Sequence, residues 1–140
     1  MIKFIGFDIW EGVTIEDNEK KFTCRTLEIK STDYSALRIF EHRKNFYMLI
    51  SKMVYCCELE FEIKEISKSL YLQLENLATL LKDTKSNIYA IEYNSVEAIE
   101  DNDKIKIKVC DNLKEEAYKE LAIYKNSIEN ILKESRLVIN

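Results

Sequence analysis

Between Val54 and Ile66 the chain reads VYCCELEFEIKEI, and apolar or small residues alternate there with charged ones almost one for one. Tyr55, Cys57, Leu59, Phe61 and Ile63 share one parity, and Cys56, Glu58, Glu60, Glu62 and Lys64 share the other. Successive side chains of a strand point to opposite faces, so this stretch makes a long strand with one dry and one wet side. A helix would scatter the same acids around its whole circumference. The strand is expected to be the spine of the fold.

Upstream, Met1–Trp10 is apolar on both parities and reads as a central strand. Gly12 with Glu16, Asp17 and Asn18 reads as a turn, and Lys21–Lys30, rich in β-formers, as the strand that completes an antiparallel hairpin. Residues 33–41 fit either a short helix capped by Asp33 or a strand. The strand is preferred because His42–Asn45 forms a hairpin turn into Phe46–Ser51. A kink or bulge is expected near Lys52, where the chain enters the spine.

At Ser67 the period changes. Leu70, Leu74, Leu77 and Leu81 recur at helical spacing, Leu80 widens the stripe, and Ser67 or Ser69 can cap the start, which predicts a helix over about 68–82. Asn87–Tyr93 and Lys104–Cys110 read as a strand pair, the second with Ile105, Ile107 and Val109 inward and Lys104, Lys106 and Lys108 outward. Asp111 then caps a helix over about 112–134, with Leu113, Ala117, Leu121, Tyr124, Ile128 and Ile131 along one face. Strands grouped ahead of helices give an α+β class: an antiparallel sheet of about five to seven strands with two helices packed on one face. Residues 1–140 are expected to form a single domain by length.

Composition removes several functions. With a net charge of −4 and a pI near 5.2, the chain lacks the Lys and Arg surplus of a general nucleic-acid binder. No apolar run approaches the ~20 residues of a membrane span, and MIKFIGFDIW does not read as a secretory leader. A cytoplasmic location is expected. The cysteines Cys24, Cys56, Cys57 and Cys110 have no C-x-x-C spacing and read as small, inert, buried residues in a reducing compartment. Proline is absent and the only glycines are Gly6 and Gly12, so Gly-rich phosphate cradles have no material and turns must use Asn, Asp, Ser and Lys.

Four candidate sites follow. Glu28-Ile-Lys30, with Asp8 or Asp17, is a pattern that metal-dependent nucleases use, but Glu62-Ile-Lys64 repeats it and half-exposed strands produce it freely. His42, the only histidine, reads as a solvated turn residue. Trp10 reads as a core anchor, or, if exposed at a strand end, as an interface hot spot. The acidic layout is the fourth. Glu58, Glu60 and Glu62 form a row on alternate strand positions, spaced roughly 6.5–7 Å, close to successive phosphates of a nucleic acid. Glu97, Glu100, Asp101 and Asp103 make a second acidic group, and Glu92 precedes it. Lys104, Lys106 and Lys108 on a neighbouring strand would neutralise the row.

These features lead to a non-enzymatic binding protein that inhibits a partner by occluding its active or nucleic-acid-binding surface, as immunity proteins, antitoxins and phage anti-defence proteins do. Its partner would be a basic protein surface, such as a toxin or nucleic-acid-processing effector, with no cofactor, no metal and no direct nucleic-acid contact. A small-ligand or nucleotide-binding domain is the alternative, expected to show a pocket lined by Tyr with Arg25, Arg38 or Arg43; a metal-dependent nuclease is the third reading.

Overall fold

The computed structural model describes residues 1–55 and 57–137 and builds an α+β fold from seven strands and two long helices. The chain divides into two compact units, Met1–Glu75 and Asn76–Leu137.

The first unit is a run of antiparallel neighbours in chain order. Strands β1 (Lys3–Asp8), β2 (Gly12–Asp17) and β3 (Lys20–Cys24) form one sheet. Strands β4 (Leu27–Ser31), β5 (Ser35–His42), β6 (Asn45–Met53) and β7 (Leu59–Ile66) form the other. Both two-residue turns, Asn18–Glu19 and Arg43–Lys44, have positive φ at each central residue. That is the turn whose twist matches the strands it joins. Gly12, at φ 110°, sits so close to Cys24 that a Cβ would lie 2.1 Å from the Cys24 carbonyl oxygen, so no larger residue fits.

Strands β5 and β6 are dry on both faces. From one face Phe40, Tyr47 and Leu49 pack against Val13 and Ile15 of the three-stranded sheet, with Phe4, Phe7, Phe22, Phe61 and Ile63 around them. From the other, Leu37 and Ile39 pair across the ladder with Ile50 and Met48, all buried. Phe46 shares that second face, and its ring meets Tyr71 of α1 at 4.7 Å. Burial there, together with the neighbouring Glu75 and Glu41 carboxylates, pushes the Tyr71 phenol up to about 12. Helix α1 (Lys68–Glu100) therefore starts against the sheet, with Ser67 accepting from Leu70 N as its cap.

The spine expectation needs correction. Strand β7 begins at Leu59, and ahead of it Val54 N donates to Glu58 O at 2.9 Å, so neither Val54 nor Glu58 belongs to the strand. The dry parity holds for Phe61 and Ile63, but Tyr55, Cys57 and Leu59 are exposed, and β7 lies at the edge of its sheet. The central pair is β5–β6, because a strand buried on both sides shows no alternation to read. Residues 33–41 are strand from Ser35 onward. Residues 12–17 are a strand and not a turn. Lys21–Lys30 is broken at Arg25–Thr26, where the chain passes from one sheet to the other.

The second unit overturns the expected strand pair. Both 87–93 and 104–110 are helical: α1 runs 33 residues to Glu100, and α2 (Lys104–Glu134) runs 31. Their inner positions follow strict 3–4 spacing. On α1 these are Leu77, Leu81, Thr84, Ile88, Ile91, Ser95 and Ala98; on α2 they are Ile107, Cys110, Lys114, Ala117, Leu121, Tyr124, Ile128 and Ile131, every one buried or half-buried. This is the heptad of two helices packed side by side. Ile88, Ile91, Cys110 and Ala117 form its core, with Leu121 against them. The alternation of Ile105, Ile107 and Val109 is a local coincidence: Ile107 faces inward while Ile105 and Val109 are exposed. The cap of α2 is Asp103, accepting from Lys106 N at 3.1 Å, and not Asp111. Among the described residues, no helix is long and apolar enough to cross a membrane.

Phe40→Ala should cost about 3–5 kcal/mol in chemical denaturation, since it empties a fully buried site between the sheets. The half-buried Phe61→Ala should cost about 2 kcal/mol, and the exposed Glu60→Ala under about 0.5 kcal/mol. A larger loss at Glu60 than at Phe61 would mean that β7 presents the opposite face.

Candidate functional site

The acidic residues fall into two groups, one in each unit. Glu60 and Glu62 stand exposed on edge strand β7, and Glu58 just ahead of it. Their row is partly neutralised, though not by the lysines expected. Lys52 of β6 lies directly opposite Glu60 in the ladder, and Lys64 reaches Glu62 at 3.9 Å. Exposed pairs of this kind contribute little to stability, but they lower the net field of the row.

The second group sits where α1 turns into α2. Glu97 and Glu100 occupy the last turn of α1, Asp101 follows, and Asp103 caps α2. The reversal takes three residues, with Asn102 in the left-handed region at φ 52° and Asp103 N donating to Ala98 O. Lys104, Lys106 and Lys108 open α2. The helix dipole favours the Asp103 cap but opposes the acids at the end of α1 and the lysines at the start of α2, since a helix C-terminus favours cations and an N-terminus anions. Neither α1's last turn carries a base nor α2's first turn an acid. Among the described residues, the Glu97, Glu100 and Asp101 side chains make no ion pair. Large apolar side chains are exposed among them: Val96, Ile99 at 62%, Ile105 at 80% and Val109. Glu92, further down α1, is engaged with α2, accepting from Tyr118 Oη at 3.0 Å and pairing with Lys114 at 3.6 Å.

His42 is buried, which corrects its reading as a solvated turn residue. The register puts it at the end of β5, where its Nε2 lies 2.9 Å from Asp17 Oδ2 on β2 and its Nδ1 4.0 Å from Cys24 Sγ on β3. Phe22 packs on the imidazole at 4.8 Å, and Arg43 reaches Asp17 at 3.5 Å. With the carboxylate accepting from Nε2–H, the free Nδ1 lone pair faces the thiol, an order of groups that resembles nucleophile, base and orienting acid. Burial pushes the Cys24 thiol up, however, so it is held as a thiol and not poised as a thiolate. The cluster acts as a polar clamp between the two sheets. Sequence spacing gave no sign of it, because the three residues come from three strands.

The nuclease constellation does not assemble. Asp8 accepts from Trp10 N and Glu11 N in the β1–β2 turn, Asp17 belongs to the His42 clamp, and Glu28 faces Arg38. Among the described residues no group of three His, Cys, Asp or Glu side chains is placed to hold a metal ion. Trp10 is 91% exposed in the β1–β2 turn and is not a core anchor. Of the cysteines, Cys110 is buried and Cys24 half-buried, but Cys57 is exposed and open to reagents; Cys56 lies outside the described residues.

Comparison with protein-family models, with curated proteins and with solved structures finds no match to this chain.

The His42 hydrogen bond is the main cause holding the Asp17 carboxyl below its ordinary range. A depressed carboxyl adds stability that is complete above the unfolded value of about 4 and disappears as pH falls through the lower folded value. The melting-temperature gap between the wild type and Asp17→Asn should therefore be widest near neutral pH and close on acidification below about pH 4. A gap unchanged from pH 7 to pH 2 would show that the clamp does not depend on the carboxylate charge.

Proposed function

We propose that this chain is a non-enzymatic, cytoplasmic binding protein that inhibits a partner by covering a basic active or nucleic-acid-binding surface, in the manner of immunity proteins, antitoxins and phage anti-defence proteins. The observation that supports this most is the helical turn between α1 and α2, where Glu97, Glu100 and Asp101, without an ion pair among the described residues, accompany exposed Val96, Ile99 and Ile105. Their position works against the stability of α1, so hairpin formation does not account for them. Carboxylates steer a basic partner from a distance, and the apolar side chains among them supply dry contact once it has docked. Glu58, Glu60 and Glu62 are a second, weaker acidic surface because Lys52 and Lys64 stand among them. The exposed Trp10 is the type of side chain that anchors such interfaces.

The test is the binding of a stoichiometric basic partner across a salt series, for the wild type, for Glu97→Gln/Glu100→Gln/Asp101→Asn, and for Glu58→Gln/Glu60→Gln/Glu62→Gln. The first triple variant should slow association about tenfold at low salt and flatten the salt dependence, with circular dichroism unchanged. The second should do so less. Equal rates and equal salt slopes in all three proteins would reject occlusion through these acids.

A further inference from the structure

Beside β5 the first unit holds a cavity of about 280 Å³, and Phe7, Tyr34, Arg38, Ser51, Leu59 and Phe61 are among the residues that line it. Its distinguishing group is the Arg38 guanidinium, which lies 4.3 Å above the Phe7 ring with its side chain only 15% exposed. A guanidinium carries five N–H donors in a planar fork. Among the described residues its side-chain partners are a 3.4 Å hydrogen bond to Ser51 Oγ and a 3.8 Å approach to Glu28 Oε1. The latter is long for a charge-assisted hydrogen bond, and the Glu28 side chain is half in water. Arg38 is thus a partly desolvated cation that, among the described residues, has donors to spare, at a cavity lined by both apolar and polar side chains.

Leu59 and Tyr34 are exposed at the cavity, and half-buried Phe61 extends the apolar wall. A concave surface with apolar walls and a few convergent polar groups, here Arg38, Ser51 and Asp33, is the usual form of a small-molecule site. We propose that this cavity binds a small monocarboxylic acid with an apolar or aromatic body. The carboxylate takes the fork of Arg38 in place of Glu28 and accepts from the Ser51 hydroxyl, while the body lies on Leu59 and Phe61. A monoanion is favoured over a phosphate dianion because Asp33 lines the same cavity and Glu28 adjoins the cation, leaving little positive field to offset a second charge. Glu28 does not line the cavity but approaches the same guanidinium from β4 at 3.8 Å, so it competes with a ligand carboxylate for Arg38. This inference concerns a different surface from the helical turn and does not depend on the occlusion reading.

The experiment is an NMR titration of the folded chain with phenylacetate, with its neutral analogue phenylacetamide, and with inorganic phosphate. Phenylacetate should shift resonances around Arg38, Leu59 and Phe61 and bind at least tenfold more tightly than phenylacetamide. Arg38→Gln should abolish that difference, Arg38→Lys should keep part of it, and Glu28→Gln should tighten phenylacetate binding several-fold. The last result separates a ligand site from a structural arginine, since removing the partner of a purely structural pair creates no site. Equal binding of acid and amide, weaker binding to Glu28→Gln, or preference for phosphate would each overturn the proposal. Should Arg38→Gln fail to fold, the acid–amide contrast and the Glu28→Gln result decide it.

Discussion

The β unit depends on one strand pair having no wet side. Residues 35–42 and 45–51 bury side chains in both directions, so the β5–β6 hairpin is stable only when something covers each face. The three-stranded sheet supplies one cover through Val13 and Ile15. The start of α1, with Tyr71 on Phe46, contributes to the other. Strand β7 can then be amphipathic because its dry parity, Phe61 and Ile63, only extends a core that β5 and β6 have already defined. Phe4 stacks on Phe61 at 4.6 Å, so the edge of one sheet is joined to the edge of the other by aromatic contact. The His42–Asp17 hydrogen bond adds a polar tie between the sheets at another point.

The class of the fold and most of its strands were legible in the chain, but the long-range weighting was not. Alternation found β7 because that strand is half wet, and it mistook β7 for the centre because the true centre buries side chains on both faces and shows no alternation. In the second unit the error ran the other way. KIKIKVC satisfies a period of two over seven residues and NIYAIEY is rich in Ile and Tyr, while the 3–4 spacing that governs them spans Leu77–Ala98 and Ile107–Ile131. Thr84, Ser95 and Lys114 occupy inner positions of those stripes, which weakens their apolar contrast and hides the heptad from a short window.

The candidate acids were legible as a composition but not as a geometry. Glu97, Glu100, Asp101 and Asp103 do cluster in space, because a three-residue reversal brings one helix end next to the start of the next. Asp103 has a local task as a cap, and the others do not. The lysines assigned to neutralise the β7 row belong to α2, and Lys52 and Lys64 take that part. The His42 clamp and the Arg38 cavity were invisible because tertiary register alone assembles them. No spacing rule connects Asp17, Cys24 and His42, or Phe7, Arg38 and Phe61.

The two tight hairpin turns carry a last implication. Each needs two residues in the left-handed region, and the chain fills these four places with Asn18, Glu19, Arg43 and Lys44 in place of glycine. For residues such as Glu19, Arg43 and Lys44 that conformation costs roughly 1 kcal/mol or more apiece, whereas asparagine tolerates it better. The turns are therefore bent by the strands they join and do not themselves direct the strands to meet. Register in β2–β3 and β5–β6 is dictated by side-chain burial, so an inserted or deleted loop residue would be corrected by the ladder. The chain also keeps some latent stability at those positions, while Gly12, its one indispensable glycine, has no such freedom.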